Sequence, residues 1–216
     1  MKKRPEGIRI KHRVNRNSIK MYDKEGSVLR VETTINDARD MKVFRPKEGD
    51  ARGKKEWRYM RKGVADAHRR AHVSQAANDR YLESLAAVEE TRALGALTEK
   101  LCRATEWKGH RVRALNPLAT QDARLLEAVS RGEFTIHGFR NRDLRAILYG
   151  SKPTEPAEGR RQSSAITRKL RLLRAHGLIQ KVQKTHRYVL TKEGTQVITA
   201  LLTARAADTA KLMSAA

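Results

Sequence analysis

A chain of 216 residues with 47 Lys and Arg against 24 Asp and Glu carries a formal charge of +23; when compact it repels itself, and phosphate backbones are the commonest partner that relieves such repulsion. The single cysteine, Cys102, excludes an intrachain disulfide framework and a multi-cysteine zinc cluster, and it suits a reducing, cytoplasmic compartment. No apolar run approaches the roughly 20 residues of a membrane span, and the basic start MKKRPEGIRIKHRV leads into no apolar stretch, so neither a signal peptide nor a membrane partner is expected.

The charge is unevenly placed. Residues 1–70 hold 22 basic and 10 acidic groups, residues 71–110 hold 5 and 6, and residues 111–216 hold 20 and 8. Two strongly basic regions flank a neutral spacer. The expected organisation is α+β: a β-meander with helices over 1–110, a linker at 111–119, and a second domain over 120–216.

Residues 8–35 read as three strands. In GIRIKHRV, Ile8, Ile10 and Val14 alternate with Arg9, Lys11 and Arg13, and in SIKMYDK, Ile19 and Met21 alternate with Lys20, Tyr22 and Lys24. Such a period-two pattern makes one face apolar and the other basic. The turn KEGS leads into VLRVETTI, where Leu29 and Val31 extend the apolar face while Arg30 and Glu32 join Tyr22 and the lysines. An antiparallel meander with one apolar face needs a cover.

Residues 36–60 have mixed charge, Pro46, Gly49 and Gly53, and predict a mobile, solvated loop. From Lys62 to Ala87 the spacing of Val64, Ala67, Ala71, Ala77, Tyr81, Leu82 and Leu85 predicts a helix. A second helix is expected over Thr91 to Arg103, and both are expected to cover the meander. The stretch ATEWKGHRVRALNPLAT, with Gly109 and Pro117, reads as linker.

A different order begins at Thr120. TQDARLLEAVSRG predicts a first helix, capped by Thr120, with Leu125, Leu126 and Val129 on one side and a stop at Gly132. EFTIHGF is expected to be extended, with Phe134, Ile136 and Phe139 inward. NRDLRAILYG predicts a second helix capped by Asn141 and ending at Gly150, with Leu144, Ile147 and Leu148 buried. RRQSSAITRKLRLLRAHG predicts a third helix, ending at Gly177. LIQKVQ and RYVLT then form two strands around KTH, and KEGTQVITALLTARAADTAKLM forms a closing helix.

Three helices, a two-stranded wing and a closing helix is the order of a winged helix-turn-helix. The phrase LRAHGLIQKVQKTHRYVLTKEG moreover resembles bacterial regulators of the MarR and ArsR type, whose third helix ends in a similar L…GLI and whose wing returns through Y-x-L-T-x-x-G. The resemblance covers residues 120–213 and implies a winged-helix fold that binds duplex DNA, as in transcriptional regulators. The whole chain also resembles an uncharacterised bacterial protein family in which the strand phrase and the winged helix occur together near the end of a longer chain. That implies a C-terminal portion of a longer member.

At 100° per residue, Ile166, Leu170 and Leu173 share the core side of the third helix. Arg161, Ser164, Arg168 and Arg171 lie opposite, with Thr167 on the flank. Arginine forks match guanine edges and phosphates, and hydroxyls suit phosphates or either base. The other reading is a solvated arginine face. Lys184, His186 and Arg187 at the wing tip are a second basic element. The connection SKPTEPAEGRRQ, of about ten residues where three or four are standard, would act as a phosphate-contacting loop or else block the groove and leave a protein-interaction module.

On the meander, Tyr22, Lys24, Arg30 and Glu32 share the polar face. The phrase IKMYDKEGSVLRVETTIN is loosely similar to the strand pair of rolling-circle replication initiators, which implies a tyrosine nucleophile, Tyr22, beside a metal-binding carboxylate, Glu32. The paired-histidine motif of that family is missing; His12 stands alone. A sheet-face ion network around Glu32 is the expected reading. His68 and His72, four apart, have zinc-compatible spacing without a third ligand. Phe44, Trp57 and Tyr59 interleave with basic residues and suit either stacking on single-stranded bases or loop anchoring. Val197, Ile198, Leu201 and Leu202 suit a homodimer or their own domain's core.

The expected function is therefore a non-enzymatic DNA-binding protein, without metal or cofactor. The alternative is part of a mobile-element nicking enzyme that is targeted by the winged helix.

Overall fold

Alternation of apolar and basic residues builds a four-stranded antiparallel sheet in the computed structural model, which describes residues 2–4, 7–24, 28–39, 41–61, 63–86, 92–150 and 153–207. Its strands are β1 (Lys2–Arg4), β2 (Gly7–Val14), β3 (Asn17–Lys24) and β4 (Val28–Thr34), hydrogen-bonded in that order. The register sets Ile10, Met21 and Val31 side by side on one face and Arg9, Tyr22 and Arg30 on the other, with Lys20 opposite Glu32. The turn at 25–27, the expected helix starts at Lys62 and Thr91, and the closing helix beyond 207 lie outside the described residues.

The chain is an α+β fold with small antiparallel sheets. It divides into two compact units, Met1–Leu82 with Thr135–His137, and Glu83–Phe134 with Gly138–Ala216. The division falls at Leu82 rather than near residue 110.

In the first unit α1 (Ala67–Ala86) covers the meander by burying Ala77 and Tyr81. Tyr81 lies with its ring 5.6 Å from that of His12, and the Thr33 hydroxyl donates to the Asn78 side-chain Oδ1 at 2.8 Å. Val64, expected inside the helix, is exposed on a 3-10 turn at Val64–Asp66. Ile19, Met41, Val43, Met60 and Tyr81 share a core with Ile136, whose carbonyl accepts from Arg80 at 2.8 Å.

Residues 36–60 are not a mobile loop. They contain the hairpin β5 (Lys42–Arg45) and β6 (Glu56–Tyr59), with Ala38, Met41 and Val43 buried. Its inward positions carry Arg45 and Arg58 beside Val43, so no apolar alternation is visible in the sequence. Asp66 makes the buried arginine tolerable: it is fully buried and pairs with Arg45 at 3.5 Å, Arg61 at 3.2 Å and Arg69 at 3.4 Å. Burial pushes the Asp66 carboxyl up, but the backbone and side-chain N–H groups of Arg61, with the Arg45 charge, bring it below its ordinary value.

The second unit runs through α2 (Leu94–Thr98), β7 (Thr105–Trp107), β8 (His110–Val112), α3 (Thr120–Val129), α4 (Asn141–Tyr149), α5 (Pro156–Ala175), β9 (Ile179–Lys181), β10 (Tyr188–Leu190) and α6 (Lys192–Ala206). Its core gathers Leu125, Leu126, Phe139, Leu144, Ile166, Leu170, Leu173, Val197 and Ile198. The expected helix 91–103 shrinks to α2 and does not cover the meander, because Leu97 and Leu101 are buried in this second core. The expected linker 111–119 belongs to the same core through Val112 and Leu115.

Local caps differ from expectation in detail. Asp143 accepts from the Arg140 backbone N–H at 2.8 Å and so caps α4, which frees Asn141 to bond the Ser163 carbonyl of α5 at 2.8 Å. EFTIHGF forms a 3-10 turn at Gly132–Thr135 rather than an extended piece. Phe139 nevertheless bridges Tyr188 of β10 through two backbone bonds of 2.9 Å. Gly138 makes that bridge possible: its φ is +75°, and a Cβ there would strike the Tyr188 carbonyl. Gly194 likewise lets α6 approach the Leu178 carbonyl, after Thr191 caps the helix by accepting from the Gly194 N–H at 2.9 Å. No described helix is long and apolar enough to cross a membrane.

Candidate nucleic-acid interface

The Pro-rich connection is mostly helix. With Pro156 at its start, where a missing N–H costs nothing, α5 begins four residues before the expected third helix and absorbs Pro156–Gly159. Its outward side presents Arg160, Arg161, Ser164 and Arg168, all exposed, opposite the buried Ile166, Leu170 and Leu173. The Arg161 side chain is 85 % exposed, with Glu158 at 3.9 Å. Thr167 donates to the Ser163 carbonyl at 2.9 Å and accepts from Asn141 at 3.0 Å, so its hydroxyl is committed to the junction of α4 and α5.

The C-terminal half of this face is partly covered. Residues read as linker form the hairpin β7–β8, which turns at Lys108 and Gly109, with φ of +54° and +73°, the backbone of a type I′ turn. Arg171, expected opposite the core stripe, is exposed and lies 5.8 Å from the Trp107 ring centroid, with Arg174 at 4.8 Å from it. Between hairpin and helix opens a cleft of about 630 Å³ lined by His110, Arg111, Arg113, Arg168, Lys169 and Arg171. Burial pushes the Lys169 ammonium below its ordinary value, with Arg113 acting in the same direction and Asp122 against it. Arg113 is held by Asp122 at 2.6 and 2.7 Å, and His176 bonds the Arg113 carbonyl at 2.9 Å.

The β9–β10 pair, expected as a wing, departs from expectation at one residue. Lys184, with φ +53°, and His186 are exposed. Arg187 is only 5 % exposed and donates to the Gly138 carbonyl at 3.3 Å. It ties the β9–β10 turn to Gly138 and points inward where the strands begin to pair, not out at the tip.

On the outer face of the meander, Glu32 gathers its neighbours. Lys20 lies at 2.7 Å, Arg30 at 2.9 Å, and the Tyr22 hydroxyl donates to it at 2.8 Å. Hydrogen bonds from Lys20 and Tyr22 hold the Glu32 carboxyl below its ordinary value. The expected ion network is therefore present; the Lys24 side chain lies outside the described residues. Lys11 on the same face is lowered by lost hydration and by Arg13, Arg9 and Lys20, the mark of crowded positive charge.

His68 and His72 do meet, with Nε2 atoms 3.1 Å apart. Among the described residues, no three His, Cys, Asp or Glu are grouped to hold a metal ion. Phe44, Trp57 and Tyr59 lie exposed on β5–β6, and Phe44 lines a hollow with His68 and His72 of α1. Val197, Ile198 and Leu201 are buried in their own unit.

Sequence reasoning missed Trp107, Arg111, Arg113, Arg160 and Lys169. The signal for the hairpin was present in TEWKGHRV, a glycine turn between short alternating stretches. Comparison with family models, with curated proteins and with solved structures gave no match for this chain.

Proposed function

We propose that the second unit is a winged helix-turn-helix and that the chain is a non-enzymatic DNA-binding protein of the regulator type. The observation that carries this reading is α5, which buries Ile166, Leu170 and Leu173 while presenting Arg160, Arg161, Ser164 and Arg168 outward. N-terminal residues of a recognition helix are those that reach base edges in the major groove, and here they are the uncovered ones. The short β9–β10 pair with exposed Lys184 and His186 supports the reading as a wing on phosphate. The cleft beside α5 adds cations for a phosphate backbone. The bonding of Glu32 to Lys20, Arg30 and Tyr22 supports a binding and folding role for the meander face.

The test is affinity for a random duplex against salt concentration. Several neutralised phosphates give a steep fall, each adding a slope of about 0.9 in log K against log salt. A flat response overturns the reading.

A further inference from the structure

The hairpin β5–β6 in the first unit turns one face outward. Register places Lys42 opposite Tyr59 and Phe44 opposite Trp57, so these four share that face while Val43 and Arg45 point inward. Phe44, Trp57 and Tyr59 are 50 %, 39 % and 64 % exposed. Exposed large rings gathered on one face mark an interaction surface rather than chance exposure.

Their arrangement leaves room for flat partners. The Phe44 and Trp57 rings lie 5.7 Å apart and tilted by 49°, so neither covers the other. Trp57 and Tyr59 stand two residues apart on one strand, about 6.6 Å at the usual rise, which admits one planar group on each ring. Lys42 sits 5.4 Å from the Tyr59 centroid.

The charge around the rings selects the partner. Residues 42–61 carry eight Lys and Arg against three Asp and Glu. Arg45 and Arg61 are paired with Asp66 and Arg58 with Glu56, but Lys42, Lys47, Arg52, Lys54 and Lys55 are exposed. The surface calls for a polyanion with repeating planar groups. Duplex bases are already stacked on one another, an apolar peptide leaves the cations unused, and an acidic peptide lacks the repeated rings.

We propose that this face binds a single strand of nucleic acid, with unpaired bases stacked on Trp57, Tyr59 and Phe44 and phosphates against Lys42, Lys54 and Lys55. The site goes beyond the winged-helix reading and does not rest on it, since all its residues belong to the first unit.

The test uses the full chain, a fluorescein-labelled oligothymidine of about 12 nucleotides and, in parallel, a random duplex. Trp57→Ala and Tyr59→Ala should each weaken oligothymidine binding about 5- to 150-fold, the range of one lost base stack. Trp57→Phe should keep most of the affinity, duplex binding should be unchanged, and circular dichroism should show an intact fold. The proposal is overturned if both alanine variants bind oligothymidine like the wild type, or if Trp57→Phe loses as much as Trp57→Ala. It is overturned equally if the tryptophan emission that Trp57→Phe removes responds to anionic lipid vesicles or an acidic peptide while oligothymidine does not bind. A wild-type chain that binds oligothymidine but not duplex would count against the winged helix and leave this site standing.

Discussion

The Arg174 guanidinium lies 4.8 Å from the centroid of the Trp107 ring, with Arg171 at 5.8 Å from the same ring. One tryptophan thereby joins β7–β8 to α5 through two arginines, of which Arg171 remains exposed and Arg174 is half-buried. Trp107→Ala should cost the second unit about 2 kcal/mol through lost burial and cation–π contact, read from urea unfolding. Unchanged stability would mean that the hairpin is not held this way.

The uncovered half of α5 should behave differently from the covered half. Arg161→Ala and Arg168→Ala are expected to cost roughly 1–3 kcal/mol of duplex affinity each where they fork onto bases. Arg171→Ala should cost less, because its guanidinium is engaged with Trp107. Lys184→Ala should weaken all duplex sequences alike. Equal losses for Arg168→Ala and Arg171→Ala in a binding titration would contradict the covered-half assignment.

Arg187 should matter for folding. Its burial and its bond to the Gly138 carbonyl predict that Arg187→Ala costs about 1–3 kcal/mol of stability, whereas Lys184→Ala leaves the thermal midpoint unmoved. A melting comparison decides, and an Arg187→Ala variant that lost affinity while melting like the wild type would return Arg187 to the contact surface.

Asp122 gives a pH dependence of definite sign. Burial acts to raise its carboxyl, but the Arg113 guanidinium and the Asn116 N–H together hold it below the ordinary value. With the folded value below the unfolded one, this contribution is present above about pH 3.9 and is lost as pH falls through the folded value. Asp122→Asn should therefore cost about 1–3 kcal/mol at neutral pH, and its deficit should shrink in acid. A deficit as large at pH 3 as at pH 7 would show that charge is not its source.

Tyr22 separates binding from strand cleavage. Its hydroxyl donates to a carboxylate that already holds Lys20 and Arg30, so Tyr22→Phe removes one of three partners and should cost under about 1 kcal/mol. Supercoiled and single-stranded DNA should stay uncut by the wild type with magnesium or manganese. A nicked product bearing covalently linked protein, abolished by Tyr22→Phe, would make the meander an active site.

The meander and the helices from Thr120 onward were legible because alternation and helical spacing each bury a recognisable apolar stripe. The polar cluster around Glu32 followed directly from strand register. What escaped were elements without a readable apolar stripe: β5–β6, which carries Arg45 inside against an aspartate 21 positions further on, and β7–β8, whose three-residue strands are too short to show a period. Arg187 was misjudged for a related reason, since the phase of a short wing decides which residue points inward and the sequence does not print that phase. Asn141 looked like a cap because caps and interhelix bonds ask for the same side chain.

The early start of α5 has a dynamic consequence. The helix has 20 residues, about 30 Å of rod, and its buried positions run from Gln162 to Leu173. The turn and a half before Gln162, which carries Arg160 and Arg161, has no buried side chain and is tied to α4 by the Arg145 bond to the Gly159 carbonyl at 3.4 Å. Segments with few buried contacts open most readily, so amide hydrogens of residues 157–161 should exchange with solvent faster than those of 166–173 in the free protein and slow when duplex is added. On the proposed reading, the end of the helix that meets duplex is the end that binding would finish ordering, and part of the binding free energy measured at Arg161 would be the entropy of that ordering.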